Sequence, residues 1–201
     1  LRKAFGHQKW WPGETPFEVI VGAILTQNTA WTNVEKAIVN LKKAKKLSFP
    51  ALHRMSHKKL SRLIRPAGYF NVKADRLKCF MDFLMRECQG DLSKLKRGSM
   101  PALREKLLHV KGIGPETADS ILLYALGKTS FVIDAYTRRI FSRHGVAPES
   151  ESYELWREIF TQALPANSAL FNDYHAQIVM TAKVHCRKSP LCEACPMRRF
   201  F

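Results

Sequence analysis

Two features of the sequence combine residue types suited to chemistry: a turn with two glycines, and an aspartate that follows it. Gly112 and Gly114 flank Ile113 in VKGIGPETAD, and Asp134 lies in FVIDAYTRRI. Glycine tolerates positive φ and leaves the backbone amides uncovered, so a phosphate group can approach them without any base being read. The sequence therefore predicts an anion-binding turn over residues 112–114, with Asp134 as the candidate catalytic carboxylate.

Asp134 stands between a short apolar run and a helical pattern, a place where aspartate commonly caps a helix N-terminus. The same place orients the carboxylate and partly removes it from water beside Val132 and Ile133. A carboxylate held in this way can stabilise an oxocarbenium-like sugar or orient a water at the anomeric carbon. Local sequence favours the capping role, with which a catalytic role is compatible. The catalytic role of Asp134 is implied by the family resemblance described below.

Helical patterns surround the turn and the aspartate. The segment PALREKLLHV precedes the turn, and apolar residues recur at helical spacing after Pro115, so the turn is predicted to join two helices as a hairpin. Most of the remaining chain shows amphipathic helical spacing, and only residues 131–133 look extended. The sequence predicts an all-α fold.

The charge of the chain favours a nucleic acid partner. Its 33 Lys+Arg and 17 Asp+Glu give a formal net charge of +16, enough for several phosphate contacts with release of counterions. Basic charge alone also suits RNA or an anionic membrane surface. The apolar content of 46% excludes a disordered chain, and no apolar run approaches the roughly 20 residues that span a bilayer. We expect a monomer in the cytoplasm, associated with the nucleoid.

The hairpin and the downstream Asp134 resemble the helix-hairpin-helix superfamily of DNA base-excision glycosylases, which includes endonuclease III. The segments WWPGETPFEVIVGAILTQNTAW and GYFNVKADRL are most similar to the 3-methyladenine DNA glycosylase III branch. This resemblance implies two helical lobes with a central DNA-binding cleft. One lobe would be a six-helix barrel over residues 16–129 that contains the hairpin, and the other would combine residues 1–15 and 130–201.

Glu116 bears on the type of reaction. The resemblance places it where endonuclease III carries a lysine whose amine forms a Schiff base and leads to strand cleavage. A carboxylate cannot form an imine, so an enzyme that releases a base and leaves an intact abasic site is implied. Glu116 is also compatible with a simple first-turn acid favoured by the helix dipole. Lys111, before the turn, is expected to contact a phosphate or to be solvated.

Aromatic residues at the start of the chain suggest a base pocket. In the resembled branch the damaged base is sandwiched by aromatics, and the matching positions are Trp10 and Trp31, although Trp31 replaces a phenylalanine. A cationic methylated purine would gain roughly 0.5 to 2 kcal/mol per face from such stacking. The alternative is that these tryptophans pack in the core. Gln27 matches the residue that fills the gap left by a flipped nucleotide, or it is a capping amide, and Asn28 is a second candidate.

Three cysteines close to the end of the chain suggest a metal site. Cys186, Cys192 and Cys195 lie in HCRKSPLCEACPMRRFF, whereas endonuclease III binds a 4Fe-4S cluster with C-x6-C-x2-C-x5-C. The first gap is one residue shorter here, and the fourth ligand would fall on Phe201. Three outcomes remain open: a cluster with a fourth cysteine past Phe201, which we favour, a lost cluster, or a zinc site completed by His185.

The function expected from these features is that of a monofunctional DNA glycosylase of base-excision repair. It would bind double-stranded DNA, flip out a damaged base and remove it, with an alkylated purine such as 3-methyladenine as the expected substrate. Alternatives are a uracil or thymine mismatch glycosylase and an endonuclease III-like enzyme on oxidised pyrimidines. A helix-hairpin-helix module that binds DNA without catalysis is the alternative from another class, and it would have no need of an acid at Asp134.

Overall fold

The computed structural model describes residues 1–8 and 10–198, and the secondary structure in these residues is helical, without strands. Helical periodicity in the sequence had predicted this class. The chain divides into two compact units, one formed by Pro12–Leu126 and the other by Leu1–Trp11 with the chain from Gly127 onward. No helix in the described residues is long and apolar enough to cross a membrane.

The first unit contains eight α-helices. They are α2 (Pro16–Leu25), α3 (Trp31–Lys43), α4 (Phe49–Arg54), α5 (His57–Leu63), α6 (Phe70–Cys88), α7 (Leu92–Lys96), α8 (Met100–Leu108) and α9 (Pro115–Ser120). The second unit contains the short N-terminal α1 (Arg2–Phe5) and, from the other end of the chain, α10 (Ala135–Arg143), α11 (Tyr153–Ala163) and α12 (Ser168–Val184).

Helix α2 forms the centre of the first unit. Thr15 caps it by accepting a hydrogen bond from the Glu18 amide at 3.1 Å, and Pro16 occupies the first turn, where its missing N–H costs nothing. Every residue from Phe17 to Leu25 is buried. A helix that is apolar on all sides is stable only inside a core, so α2 provides the surface on which neighbouring helices pack.

The long helix α6 carries a buried cation. The ammonium of Lys73 donates to the carbonyls of Leu25 at 2.8 Å and Ala67 at 2.7 Å. Burial, aided by the nearby charge of Arg76, lowers the pKa of Lys73 to about 8. Because carbonyls at the ends of helical segments carry partial negative charge, the ammonium fastens α6 to the end of α2 and to the turn before Gly68.

The helix after the hairpin departs from the sequence pattern. Apolar residues at helical spacing predict a regular helix through Ala125, but α9 continues from Ile121 as a π turn, in which the Leu126 amide donates to the Ile121 carbonyl at 3.1 Å. All of the residues from Thr117 to Leu123 are buried, so packing on several sides decides this turn. A pattern that marks one apolar face cannot predict it.

Aromatic packing forms the core of the second unit. Phe131 and Phe160 stack with ring centroids 4.4 Å apart, and Phe171 meets Phe131 edge to face at 5.2 Å. Phe131 begins a buried, non-helical segment that leads directly to α10. This segment holds the start of α10, and therefore Asp134, on a rigid base.

Candidate functional site

The predicted hairpin joins α8 to α9. Val110 and Ile113 are buried and anchor the turn, and the Ile113 amide donates to the Val110 carbonyl at 3.0 Å. Ile113 can therefore meet a ligand only through its backbone. Lys111 and Gly114 are exposed beside it. Within the described part of the chain, the amides of Gly112 and Gly114 take no part in the backbone hydrogen bonds of the turn, so they remain available to an anion.

Only one of the two hairpin glycines requires the left-handed backbone. Gly112 has φ +87°, whereas Gly114 is the N-cap of α9 with φ −89°. A Cβ at Gly112 would lie 2.3 Å from Cγ of Arg76, while a Cβ at Gly114 would meet nothing within 4 Å. Positive φ is therefore used at Gly112 and not at Gly114. Gly114 leaves the backbone open.

Gln27 is fastened to the hairpin. Its Nε2 donates to the Gly112 carbonyl and to Oγ1 of Thr117, both at 2.9 Å, and its Oε1 accepts from Nη1 of Arg76. The side chain thus links the end of α2, the first turns of α6 and the hairpin. Asn28, next in the chain, is exposed and has a left-handed backbone with φ +51°.

A buried ion pair ties together the two helices of the hairpin. Arg104 of α8 donates to Asp119 of α9 through Nε at 2.8 Å and Nη2 at 3.2 Å. Because the Asp119 side chain is fully buried, removal of either partner would leave an uncompensated charge. The geometry of the turn is thus held from both sides, by Gln27 and by this pair.

Asp134 is the N-cap of α10, as the sequence predicts. Its Oδ1 accepts from the Thr137 amide at 2.7 Å and from Oγ1 of Thr137 at 2.8 Å. Nε2 of His175, on α12, lies 3.6 Å from Oδ2. Burial alone would raise the pKa of Asp134, but the charge of His175 and the donors of Thr137 outweigh it and leave the pKa below its ordinary value.

His175 is the residue of this site that sequence reasoning missed. No local motif surrounds it, and its contact with Asp134 depends on how α12 packs against α10. A histidine on an apolar helical face is more often a core residue than a functional one. A signal of its role appears only when its distance to Asp134 is known.

The two units hold the predicted base-pocket residues as follows. In the second unit, Trp10 meets Trp11 edge to face at 5.8 Å, and the Lys183 ammonium lies 5.8 Å from the centre of the Trp10 ring. In the first unit, Trp31 begins α3 and its Nε1 donates to Oε1 of Glu35 at 2.6 Å. Glu116 is exposed in the first turn of α9.

The three cysteines near the end of the chain line one apolar pocket of about 490 Å³ in the second unit. Cys186, Cys192, Cys195 and His185 all contribute to its wall. Nη1 of Arg143 lies 3.3 Å from Sγ of Cys186. Among the described residues, however, no three His, Cys, Asp or Glu side chains are grouped closely enough to hold a metal ion. Phe201, where the spacing puts a fourth ligand, lies outside the described residues.

Comparison with known proteins places these features in a family. The model of the HhH-GPD superfamily of base excision DNA repair proteins matches residues 21–166. A Methanocaldococcus jannaschii protein inferred to be a DNA repair glycosylase is 49% identical over 198 residues, which are 98% of this chain and 90% of that protein. Endonuclease III of Thermotoga maritima is 27% identical over 181 residues, 90% of this chain and 79% of that protein.

Solved structures show the same fold. The 3-methyladenine DNA glycosylase of H. pylori, bound to 1,N6-ethenoadenine, superposes with a TM-score of 0.77 at 30% identity over 87% of each chain. A non-covalent complex of endonuclease III with DNA superposes with a TM-score of 0.83 at 20% identity, over 98% of this chain and 88% of that one. The helix-hairpin-helix glycosylase fold predicted from the sequence is confirmed.

Proposed function

Because the chain belongs to the HhH-GPD superfamily of base excision DNA repair proteins, it is a DNA glycosylase, and we propose that it releases an alkylated purine and leaves the DNA strand intact. The observation that carries the choice of substrate is the 30% identity to a 3-methyladenine DNA glycosylase solved with a modified adenine. Relatives named endonuclease III are 27–28% identical over similar lengths. The groups that contact the base and the sugar therefore decide the substrate.

The hairpin provides the grip on the DNA backbone. A phosphate oxygen would meet the uncovered amides of Gly112 and Gly114, with the exposed ammonium of Lys111 beside them. Ile113 takes part through its backbone, since its side chain is buried. Contacts of this kind fix the position of the duplex and carry no base specificity. Gln27, anchored to Gly112, is placed to hold the turn in shape and to present the α2–α3 loop to the strand.

Asp134 is the group that acts on the sugar. Its carboxylate accepts two hydrogen bonds from Thr137 and lies near the imidazole of His175, so it remains ionised while partly buried. When the bond between the base and the anomeric carbon breaks, its electron pair leaves with the base and the sugar becomes cationic. A fixed carboxylate stabilises that charge, and a water then adds to the anomeric carbon. The proton of that water passes to solvent when a cationic base has left as a neutral molecule, and it is taken up by the departing base when a neutral base has left as an anion.

The aromatic residues select the base. We assign a stacking role to Trp10 and to Trp31, and a role in base recognition to Glu116, from the resemblance of these positions to the 3-methyladenine DNA glycosylase III branch. Lys183 already lies over one face of the Trp10 ring, so the base takes the other face. A nearby ammonium reduces the advantage of a cationic base over a neutral one. The pocket is therefore suited to neutral modified adenines as well as to 3-methyladenine.

The absence of a nucleophilic amine at Glu116 gives the reaction its outcome. Glu116 is exposed in the first turn of α9, and a carboxylate cannot form the Schiff base that precedes strand cleavage. The product is then an abasic site in an unbroken strand. Borohydride should trap no covalent complex of the protein with damaged duplex DNA, and strand breaks should appear only after alkali. Efficient trapping would show that a lysine acts as a nucleophile, and Lys111 would be the first candidate to test.

The cysteine pocket is proposed to hold a 4Fe-4S cluster. Three thiols line one cavity, and Nη1 of Arg143 lies 3.3 Å from the sulfur of Cys186, so a positive charge faces the place where an anionic cluster would be bound. Cys186, Cys192 and Cys195 would be three of the four ligands. A bound cluster would serve to order the loop and its basic residues Arg187, Lys188 and Arg198 rather than to take part in base release.

A panel of duplex oligonucleotides tests the substrate. Each would carry one lesion: 3-methyladenine, 1,N6-ethenoadenine, uracil opposite guanine, thymine opposite guanine, or an oxidised pyrimidine. We expect single-turnover release of the two modified adenines and an intact abasic strand. Faster release of uracil or of an oxidised pyrimidine would contradict the proposed substrate class and leave the assignment as a DNA glycosylase standing.

A further inference from the structure

The two oxygens of the Asp134 carboxylate have different neighbours. Oδ1 accepts both hydrogen bonds from Thr137, one from its amide and one from its hydroxyl. His175 faces the other oxygen, with Nε2 3.6 Å from Oδ2. Since Oδ1 alone completes the cap of α10, the histidine is not needed to begin that helix.

The structure places His175 firmly. The side chain projects from α12, which packs against α10, and it is 5% exposed. The Phe131 ring lies edge-on to the imidazole, with centroids 6.4 Å apart. A side chain enclosed in this way has few alternative rotamers, so the distance between the imidazole and the carboxylate is set by the packing of the two helices.

Other ionisable or polar groups on the elements around this pair have partners of their own. Asp173 lies 3.7 Å from Arg2 and 3.8 Å from His7. Burial raises the pKa of Tyr174 and keeps its hydroxyl neutral. Three further side chains form hydrogen bonds with backbone groups. Arg138 donates to the carbonyls of Glu149 and Glu151, and Arg139 donates to those of Ala182 and Cys186. The hydroxyl of Tyr153 accepts from the Ile133 amide. Within the described part of the chain, Asp134 forms its ion pair with His175.

We propose that His175 is a positioning residue for base excision, which keeps the Asp134 carboxylate ionised and oriented. This inference rests on the proposed catalytic role of Asp134. A carboxylate that accepts two hydrogen bonds and lies beside an imidazolium is a weak base. Asp134 therefore acts by stabilising the positive charge on the sugar rather than by removing a proton from water.

The sign of the pH dependence follows from the carboxylate. Asp134 has a pKa below its ordinary value, so its ionised form persists until the pH falls through that low value. Loss of the positive partner would raise the pKa of Asp134. Excision would then decline at a higher pH than in the wild type.

The variant His175→Gln tests the proposal, because glutamine keeps a hydrogen-bond donor of similar size and lacks the charge. The pKa of Asp134 would be followed by the ¹³C NMR signal of its carboxyl group, and single-turnover excision of ethenoadenine would be measured from pH 4.5 to 8. We expect the pKa and the acid limb of the excision profile to rise together by about 1 unit or more. The matched control is His53→Gln, a histidine paired with Asp82 in the other unit, which should change neither quantity.

The NMR measurement separates this inference from the proposed function. An unchanged pKa of Asp134 in His175→Gln would overturn the role of His175, whatever the activity. A raised pKa of Asp134 with an unchanged excision profile would contradict the catalytic role of Asp134, because its ionisation would then not limit excision. The positioning role of His175 rests on that catalytic role and would be overturned with it. If the variant did not fold, the wild type would still decide, since a carboxyl pKa at or above the ordinary aspartate value would contradict the proposal.

Discussion

At the scale of single residues, Asp134 shows how one side chain serves both folding and chemistry. Its Oδ1 caps α10, and its Oδ2 remains for an electrostatic role beside His175. The helix N-terminus contributes partial positive charge that also favours the ionised carboxylate. The cap was predictable from the aspartate before a helical pattern. The partner was not, because His175 reaches the site only through the packing of α12.

Trp10 offers a residue-scale test of base selection. Removal of one stacking face should cost about 0.5 to 2 kcal/mol, so Trp10→Ala should slow excision of 3-methyladenine by roughly 2- to 30-fold. The same reasoning applies to Trp31→Ala. The single-turnover rate constant is the quantity to measure, with duplex affinity measured beside it.

Two comparisons sharpen the tryptophan test. Trp156 is fully buried in the second unit, so Trp156→Phe should lower the thermal stability with little effect on lesion preference. In Trp10→Ala, the excision rate of a small neutral base such as uracil, if this base is removed at all, should fall less than that of 3-methyladenine. Equal losses on both bases would indicate that Trp10 only packs.

At the scale of elements, the hairpin shows what sequence can predict and what it cannot. The spacing of Gly112, Ile113 and Gly114 before Pro115 predicts a turn between two helices, and the structure has it. The two glycines differ in the space around them because Arg76, from α6, packs against Gly112 and not against Gly114. Likewise, the hydrogen bond between Gln27 and Gly112 joins residues far apart in the chain. Local patterns predict elements, whereas such contacts follow from tertiary packing.

The two hairpin glycines should respond differently to alanine. Gly112→Ala places a Cβ on a left-handed backbone and 2.3 Å from Arg76, so we expect the free energy of unfolding to fall by about 1 to 3 kcal/mol. Duplex affinity should fall with it as the turn is distorted. Gly114→Ala has an ordinary φ and open space, so its stability should stay within about 0.5 kcal/mol of wild type. Denaturant unfolding of both variants measures this difference, and equal stabilities would contradict the packing described for Gly112.

For the cysteine loop, the spacing in the sequence indicates a metal site more strongly than the arrangement of the side chains does. The spacing of Cys186, Cys192 and Cys195 suggests ligands, and all three line one pocket, yet the described side chains do not form a metal-binding group. A metal ligand set is completed by the metal itself, because thiolates that repel each other converge only around a cation. Packing of the protein alone therefore produces the pocket lined by the three cysteines, but not the converged set of ligands.

Iron content tests the loop. Protein purified without oxygen should be yellow-brown, with broad absorbance near 400 nm, and Cys192→Ser should lose iron, thermal stability and salt-sensitive DNA affinity together. Cys88→Ser is the matched control, because that thiol is buried in α6 of the first unit and is not one of the three cysteines of the loop. Iron-free protein that is fully active would show that the cluster is absent, and zinc at one equivalent would favour the site with His185.

At the scale of the whole molecule, charge and catalysis are separate contributions. The net charge of +16 and the open hairpin amides favour binding to any duplex, damaged or not. The rate of base release depends instead on a few groups around the sugar and the base. Composition predicted the first contribution directly. The second required the position of Asp134 relative to the helix it caps and the histidine it faces.

The single-turnover rate of modified-adenine release by Asp134→Asn is the most direct test of the central claim. Asparagine keeps the size of the side chain and an oxygen for the cap, but it carries no charge to stabilise the sugar cation. We expect excision to slow by roughly 10²-fold or more, while duplex affinity changes by no more than about threefold. An unchanged excision rate in a folded, DNA-binding Asp134→Asn protein would contradict the account.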